Sequence, residues 1–318
     1  MVSIVSLEQG LKVLEGLQGR QTVLSFYSSV LGGVTTERAL FTVPMDDHMV
    51  HRGHAVFDTC SIKLGKAYGL SKHLDRFLLS AQTCRIPPYA SKQRLREIIL
   101  ATIARAGQRQ SIYVRFWMSA GRGDFAVTPS SSQSEFYCVV HTLAPSSGGE
   151  SGGIKEVSVS VPVKCAFLAT SKTNNYLVNA LAAMEAVERG GTLGLQCDSQ
   201  GNVAECSIGS IGFVFRDEDE VVHTPKLDKI LRSTTLLRAE ELYIGSGRFV
   251  YQDLPLAVVL ERAVEVIGFG GSNVSAIVEL NGQVIGTGKP GKVFTKLREL
   301  LEHDFEFAGS EFLDDIPI

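Results

Sequence analysis

The six cysteines of this 318-residue chain stand far apart, with no C-x-x-C pair among them. Scattered thiols in a chain this long argue against a disulfide framework or a structural zinc site, and fit small buried side chains. Long hydrophobic runs are missing too, since no apolar stretch approaches the roughly 20 residues that span a bilayer as a helix. An excess of charge of one sign is also absent. The formal net charge is only -3, which gives no electrostatic pull toward nucleic acid or an anionic membrane. Residues 1–20 lack the basic end, apolar block and small-residue cleavage site of a secretory signal. They also lack the Arg/Ser-rich, acid-poor bias of a transit peptide. The expected location is therefore cytoplasmic, or a plastid or mitochondrial interior if a transit peptide has been removed.

What is present fits a globular protein: 44% apolar and 20% charged residues, in a chain long enough for two domains with separate cores. Helical periodicity runs from Leu7 to Leu17, and strand-like text from Gln21 to Val30 stops at Gly32-Gly33. Residues 55–64 and 67–70 around Gly65-Lys66 read as a hairpin. Ser71 is placed to cap a helix carrying Leu74, Phe77, Leu78 and Ala81. Ser91 is placed to cap another, with Leu95, Ile98, Ile99, Thr102 and Ile103 on one face. Strands are expected at Ser111–Ser119 and Glu135–Thr142.

Residues 144–153 hold little but Gly, Ser, Ala and Pro and read as a linker. They separate an N-terminal domain (1–143) from a C-terminal one (154–318). The second domain is expected to open with a strand at Val157–Val163 and a helix at Asn174–Arg189. Turns at Asp198–Asn202 and Asp217–Glu220 join strand pairs. Helices are expected at Leu227–Leu237, Leu254–Arg262 and Lys292–Glu302, and strands at Glu265–Phe269 and Val274–Leu280. Asn281-Gly282 is a type I′ hairpin signal. Irregular alternation with several hairpins favours α+β over a doubly wound parallel sheet.

Single residues say little about chemistry. Lys172, in Ala169-Thr-Ser-Lys-Thr-Asn-Asn-Tyr-Leu177, stands at the mouth of an apolar helix, where the dipole disfavours a cation. Taken alone it reads as a solvated lysine. Glu205 lies between apolar residues on an expected strand, either exposed on the alternate face or paired with a cation. Arg76 is open to a surface pair with a neighbouring acid. Ser233-Thr234-Thr235 is a hydroxyl cluster able to open a helix toward an anion or simply to cap it. The turn Phe269-Gly270-Gly271-Ser272-Asn273 is able to bring N–H groups near a phosphate, though it is neither a Walker loop nor a G-x-G-x-x-G.

Taken in order, these pieces resemble one family. His51-Arg52-Gly53-His54 with Phe57-Asp58-Thr59, then His73-Leu74-Asp75-Arg76, Lys172 to Tyr176, Glu205-Cys206-Ser207, Ile230 to Thr235 and Gly286 to Gly291 are similar to the class IV (fold type IV) aminotransferases. The first two segments are most similar to the plant D-amino acid aminotransferase-like branch, with the branched-chain aminotransferases beside it. The resemblance implies two α+β domains, a homodimer and pyridoxal 5′-phosphate as cofactor. It implies Lys172 as the Schiff-base lysine and proton carrier and Glu205 as partner of the ring nitrogen. Arg76, Thr234, Thr235 and the turn Gly270, Gly271 and Ser272 are implied to hold the phosphate. Departures occur at Cys206 and Ser210, where the family often has Gly and Asn, and at Ser233 to Leu236, where it often has G-x-T-R.

For substrate, Arg115 on a strand and Arg122 on a turn are candidates for an α-carboxylate, with His54 at the pocket edge. The expected reaction is transamination between an amino acid and a 2-oxo acid, D-amino acids such as D-alanine first and branched-chain L-amino acids second. The alternative is aminodeoxychorismate lyase chemistry, releasing 4-aminobenzoate and pyruvate; a non-enzymatic relative stands third. His48, His51 and His54 crowd near Asp46 and Asp47 at spacings that can suit zinc. Pro44 and Gly53 interrupt any rigid helical site, and no metal is assigned.

Overall fold

In the computed structural model, residues 2, 4–17, 22–107, 112–130, 133–142, 152–218 and 220–317 are described. The expected linker at 144–153 lies almost wholly outside them. The chain divides into one unit of Met1–Pro145 with Ser310–Ile318 and a second of Ser146–Gly309. The last nine residues thus join the first unit, a correction to a C-terminal domain running through to residue 318.

The first unit is a seven-stranded sheet with helices on one face. Its strands are β1 (Val23–Ser28), β2 (Gly33–Thr35), β3 (Ala55–Lys63), β4 (Lys66–Tyr68), β5 (Ile112–Ser119), β6 (Glu135–Thr142) and β16 (Leu313–Asp315), in the order β16-β4-β3-β5-β6-β1-β2. Helix α1 (Leu7–Gly16) precedes the sheet and opens on a capping box between Ser6 and Gln9. The short α2 (His48–Arg52) leads into β3 through Gly53. On β5, Ile112, Val114, Phe116 and Met118 are buried while Tyr113, Arg115 and Trp117 are half-buried, the period of two that puts alternate residues on one face. Helices α3 (Leu70–Thr83) and α4 (Lys92–Arg105) cover that core. Leu70, Leu74, Phe77 and Ala81 of α3, and Leu95, Ile98, Ile99, Thr102 and Ile103 of α4, are buried at helical spacing. Phe77 meets Phe116 edge-on at 5.0 Å between ring centres.

Ser91 caps α4 through Arg94 N–H, but Ser71 does not cap α3. Instead α3 starts two residues earlier, after Gly69 in the left-handed region (φ 66°). The ring of Phe312 lies 3.1 Å from where a Cβ on Gly69 would stand, and the N–H of Gly69 bonds the Phe312 carbonyl. A partner far along the chain, invisible to local propensity, sets the helix start. The oxygen of Ser71 accepts instead from Lys92 Nζ.

The second unit holds β10 (Ser210–Phe215), β11 (Val221–Thr224), β12 (Arg248–Tyr251), β13 (Ala263–Gly270), β14 (Asn273–Leu280) and β15 (Gln283–Val284) in the order β12-β11-β10-β13-β14-β15. Strand β7 (Ile154–Glu156) runs parallel to β14, and β8 (Leu195–Cys197) pairs with β9 (Val203–Cys206). Helices α7 (Thr234–Tyr243) and α9 (Lys292–Phe307) bury Leu236, Ala239, Tyr243, Val293, Phe294, Leu297 and Leu301 against the sheet. A second cluster around Phe213, Phe215, Val266 and Ile277 includes Leu254 and Val259 around the start of α8 (Leu256–Arg262). Mixed helix and sheet with largely antiparallel pairing is the α+β class.

Two expectations fail here for the same reason. Val157–Val163 is not a strand, because Ser158 N–H bonds Asn281 Oδ1 and Ser160 N–H bonds the Glu185 carboxylate. Leu227–Arg232 is not helical, because the cap is Ser233, whose oxygen accepts from Leu236 N–H. Polar side chains compete successfully for backbone groups in both places. Helix α6 (Leu177–Glu188) likewise starts three residues later than expected.

Glu156 is buried, and its carboxylate accepts from the N–H groups of Thr192, Leu193 and Gly194. Glu156→Gln puts an amide donor against those N–H groups. The expected loss is about 1.5–3 kcal/mol in urea unfolding; an unchanged midpoint would show that the loop is held by something else.

Candidate active site

The second unit gathers three charged side chains around one tyrosine. Lys172 lies in the segment between α5 (Ala166–Ala169) and α6, not at the mouth of the helix as expected. Its Nζ donates to Tyr176 Oη at 3.1 Å and lies 5.4 Å from the centre of that ring. Lys164 Nζ lies 5.2 Å from the same ring centre. It also stands 3.6 Å from Glu205 Oε1, an ion pair slightly longer than a direct hydrogen bond, with the two side chains 6% and 9% exposed. Glu205 sits on β9, and the backbone of Leu231 bonds its carboxylate. Burial raises the Glu205 pKa above the ordinary carboxylate range, while Lys164, the Leu231 N–H and Lys172 pull it back. Of the two readings open in the sequence, pairing with a cation is the one observed.

A second cluster forms at the N-terminus of α7. Ser233 caps the helix, which leaves the N–H groups of Thr234 and Thr235 in a first turn with no helical carbonyl ahead of them. Thr235 Oγ1 accepts from Ser272 N–H at 3.1 Å. Ser272 and Gly271 form the two-residue turn between β13 and β14, with φ of 63° and 61°, as a type I′ hairpin requires. The structure therefore brings Thr235 and Ser272 together. A helix N-terminus flanked by hydroxyls is a place where anions bind, although the Ser272 N–H is itself spent on Thr235.

The remaining candidates stand in the first unit. Arg76, on α3, donates through Nε to Asp58 Oδ2 (2.9 Å) and through Nη2 to Asp58 Oδ1 (2.8 Å), a two-pronged grip rather than a surface pair. His73 Nδ1 lies 2.9 Å from the same Oδ1, and Thr59 N–H donates to it as well. Asp58 is fully buried; burial opposes its charge, but Arg76 and His73 overcome that and hold its carboxyl far below the usual range. Arg115 donates through Nε to Thr59 Oγ1 and lies over the Phe57 ring. Arg122 is tied to Glu135 at 2.9 Å. His54 bonds His48 Nδ1 through one ring nitrogen and the Cys84 carbonyl through the other. Arg122 and His54 are thus each engaged by groups of the first unit. Among the described residues no three His, Cys, Asp or Glu side chains are arranged to hold a metal ion.

Sequence reading missed Lys164 as a site residue, although a lysine inside Val161-Pro-Val-Lys-Cys-Ala-Phe-Leu-Ala169 interrupts an otherwise apolar run. Tyr176, Asp58 and His73 stand in the sequence only as motif letters, because no local pattern tells which lysine or arginine each will meet.

With this geometry in place, comparisons define the class. The amino-transferase class IV family matches residues 55–272, more than half of the chain. The chain belongs to the class IV aminotransferases, enzymes that use pyridoxal 5′-phosphate. It is 35% identical over 295 residues to the chloroplastic D-amino-acid transaminase of Arabidopsis thaliana, covering 90% of this chain and 78% of that one. It is 26% identical to the branched-chain-amino-acid aminotransferase-like protein 2 of the same plant, over 84% of this chain but only 48% of that protein. Its fold matches the branched-chain amino acid aminotransferase of Thermobaculum terrenum, solved in its PLP form, at a TM-score of 0.81 and 17% identity, covering 94% and 100% of the two chains.

The Asp58 network yields a pH prediction with a definite sign. Because its folded pKa is depressed, its contribution is present above the unfolded value of about 4 and is lost as pH falls below that. Asp58→Asn should cost about 3–5 kcal/mol at neutral pH and flatten acid unfolding below about pH 4. A variant with wild-type acid sensitivity would mean that other carboxylates govern it.

Proposed function

We propose that this chain transfers an amino group between a D-amino acid, D-alanine foremost, and a 2-oxo acid, using pyridoxal phosphate held on Lys172. The observation that carries the proposal is the meeting of half-buried Lys172 and Tyr176 with buried Lys164 and Glu205. The donor set suits the cofactor: an amine, a buried carboxylate and a hydroxyl-flanked helix end. Bound there, pyridoxal phosphate supplies an aldehyde carbon for amines and a ring that draws electron density from the substrate Cα.

The side chains then divide the work. Tyr176 orients the Lys172 nitrogen, which takes and returns the proton at the substrate Cα. Glu205 accepts a hydrogen bond from the ring nitrogen and so favours its protonated state. Thr234, Thr235 and the Gly270–Ser272 turn provide donors for the phosphate. The named D-amino-acid transaminase supports the D-preference, and the branched-chain relative supports L-branched substrates as second choice. The same D-enzyme is called chloroplastic, which supports a plastid interior for this chain, testable by the location of a fluorescent fusion.

A homodimer is also proposed. Leu177, Leu181, Met184 and Val187 form an exposed apolar stripe along α6, with Phe167 exposed on the preceding short helix. A stripe of this kind is what a partner copy covers. Leu181→Asp with Met184→Asp should convert a dimer to monomer in sedimentation, and a wild-type protein that sediments as a monomer would sink the proposal.

With D-alanine alone, the purified protein should lose its visible cofactor band and release pyruvate, and 2-oxoglutarate should restore the band. Lys172→Ala should lower the rate by at least about 10²-fold. Bleaching by L-leucine and not by D-alanine would transfer the assignment to the branched-chain class. No bleaching by either would end the transaminase reading.

A further inference from the structure

Lys164 is the buried charge for which the proposed chemistry has no stated use. Removing a lysine from water is unfavourable unless a counter-charge comes with it, and Lys164 is as buried as the carboxylate it faces. The charges in the cluster are Lys164, Lys172 and Glu205, with the Leu231 N–H also on the carboxylate and Cys206 adjacent to it. Lys172 is an unsteady partner for Glu205. Under the proposed function its nitrogen would hold the cofactor and carry the substrate Cα proton, so it would not serve as a fixed counter-ion. Lys164 performs no such step and stands beside Glu205.

We propose that Lys164 is a positioning residue whose ammonium keeps the Glu205 carboxylate charged and in place for the cofactor's ring nitrogen. The inference rests on the reading of Glu205 as that nitrogen's partner. Lys164 acts only through Glu205 and need not touch substrate or cofactor. Its place over the Tyr176 ring, 5.2 Å from the centre, restrains the ammonium from a second direction. That ring neighbours Lys172 as well, so one tyrosine orients both the lysine that reacts and the lysine that does not.

The proposal predicts behaviour of the cofactor-free protein. Glu205 has a raised pKa in the fold, so the native state holds its proton more tightly than the unfolded chain does. Its contribution to stability is full below the ordinary carboxylate pKa and is lost as pH rises through the raised value. Without the Lys164 cation that value rises further, and the loss continues to higher pH.

The test compares wild type, Lys164→Met, Lys164→Arg, Glu205→Gln and the Lys164→Met/Glu205→Gln double variant. Each is read by thermal melting of the apoprotein from about pH 5 to about pH 8 and by titration with pyridoxal phosphate. Lys164→Gln replaces the Met variant if that one does not fold. Lys164→Met should weaken pyridoxal phosphate binding about tenfold or more and steepen the fall in melting temperature with pH. Lys164→Arg should restore both, and in the Glu205→Gln background the Met substitution should change neither the slope nor the affinity further. Wild-type binding and slope in Lys164→Met would overturn the proposal, as would a further affinity loss of the same size when Lys164→Met is added to Glu205→Gln, since Lys164 would then act by packing alone. If Glu205→Gln binds pyridoxal phosphate as wild type does, the Glu205 reading itself fails, and the Lys164 proposal falls with it.

Discussion

A carboxylate withdrawn from water needs a cation or a full set of hydrogen-bond donors, and both units of this protein answer that requirement with a cation at one carboxylate each. In the second unit Glu205 is buried on a short strand and faces Lys164. In the first, Asp58 is buried under α3 and is gripped by Arg76 and His73. The two solutions differ in kind. Asp58 has a bidentate guanidinium and hydrogen bonds on both oxygens, and its charge is secure. Glu205 has an ammonium at longer range and remains easier to protonate. A carboxylate fixed as an ion suits the first arrangement, and one able to exchange a proton suits the second.

The elements that carry these groups are unequal in rigidity. Asp58 lies within the nine-residue β3, paired with β5 along nearly its whole length. Lys172 lies between a four-residue helix and α6, in a segment with no regular pairing of its own. Lys172 is thus held outside regular helix and strand, and the Tyr176 hydroxyl supplies a contact for its Nζ. Small inserted turns do the remaining positioning. The Gly271-Ser272 corner meets Thr235 because a type I′ turn folds β14 back directly onto β13.

Much of the architecture was legible in the sequence, and the failures share a cause. Strands β3, β5, β6 and β14, helix α4 and the Asn281-Gly282 turn follow from alternation, apolar spacing and turn chemistry, all local signals. The strand expected at Val157–Val163 and the helix expected at Leu227 were lost to side chains, Asn281, Glu185 and Ser233, that bond backbone groups first. At the site, the resemblance to the class IV family pointed to Lys172, Glu205 and the Thr234–Thr235 pair. It implied contacts to a cofactor but not which protein side chains each would meet. Lys164 was missed because a lysine beside apolar residues usually keeps its head in water, and nothing local to residue 164 announces a carboxylate at 205.

The contact between β16 and the first unit bears on how the protein is made. Strand β16 adds to the edge of β4, and the Phe312 carbonyl and ring fix Gly69 at the start of α3. Domains emerging from a ribosome generally fold in order, the N-terminal one first. Here the N-terminal sheet lacks one edge strand until residues 313–315 have been synthesised, and β4 keeps an open edge for all of that time. The unit that is translated first is thus completed only after the second has emerged, and its exposed edge is the segment a nascent-chain chaperone has most reason to cover.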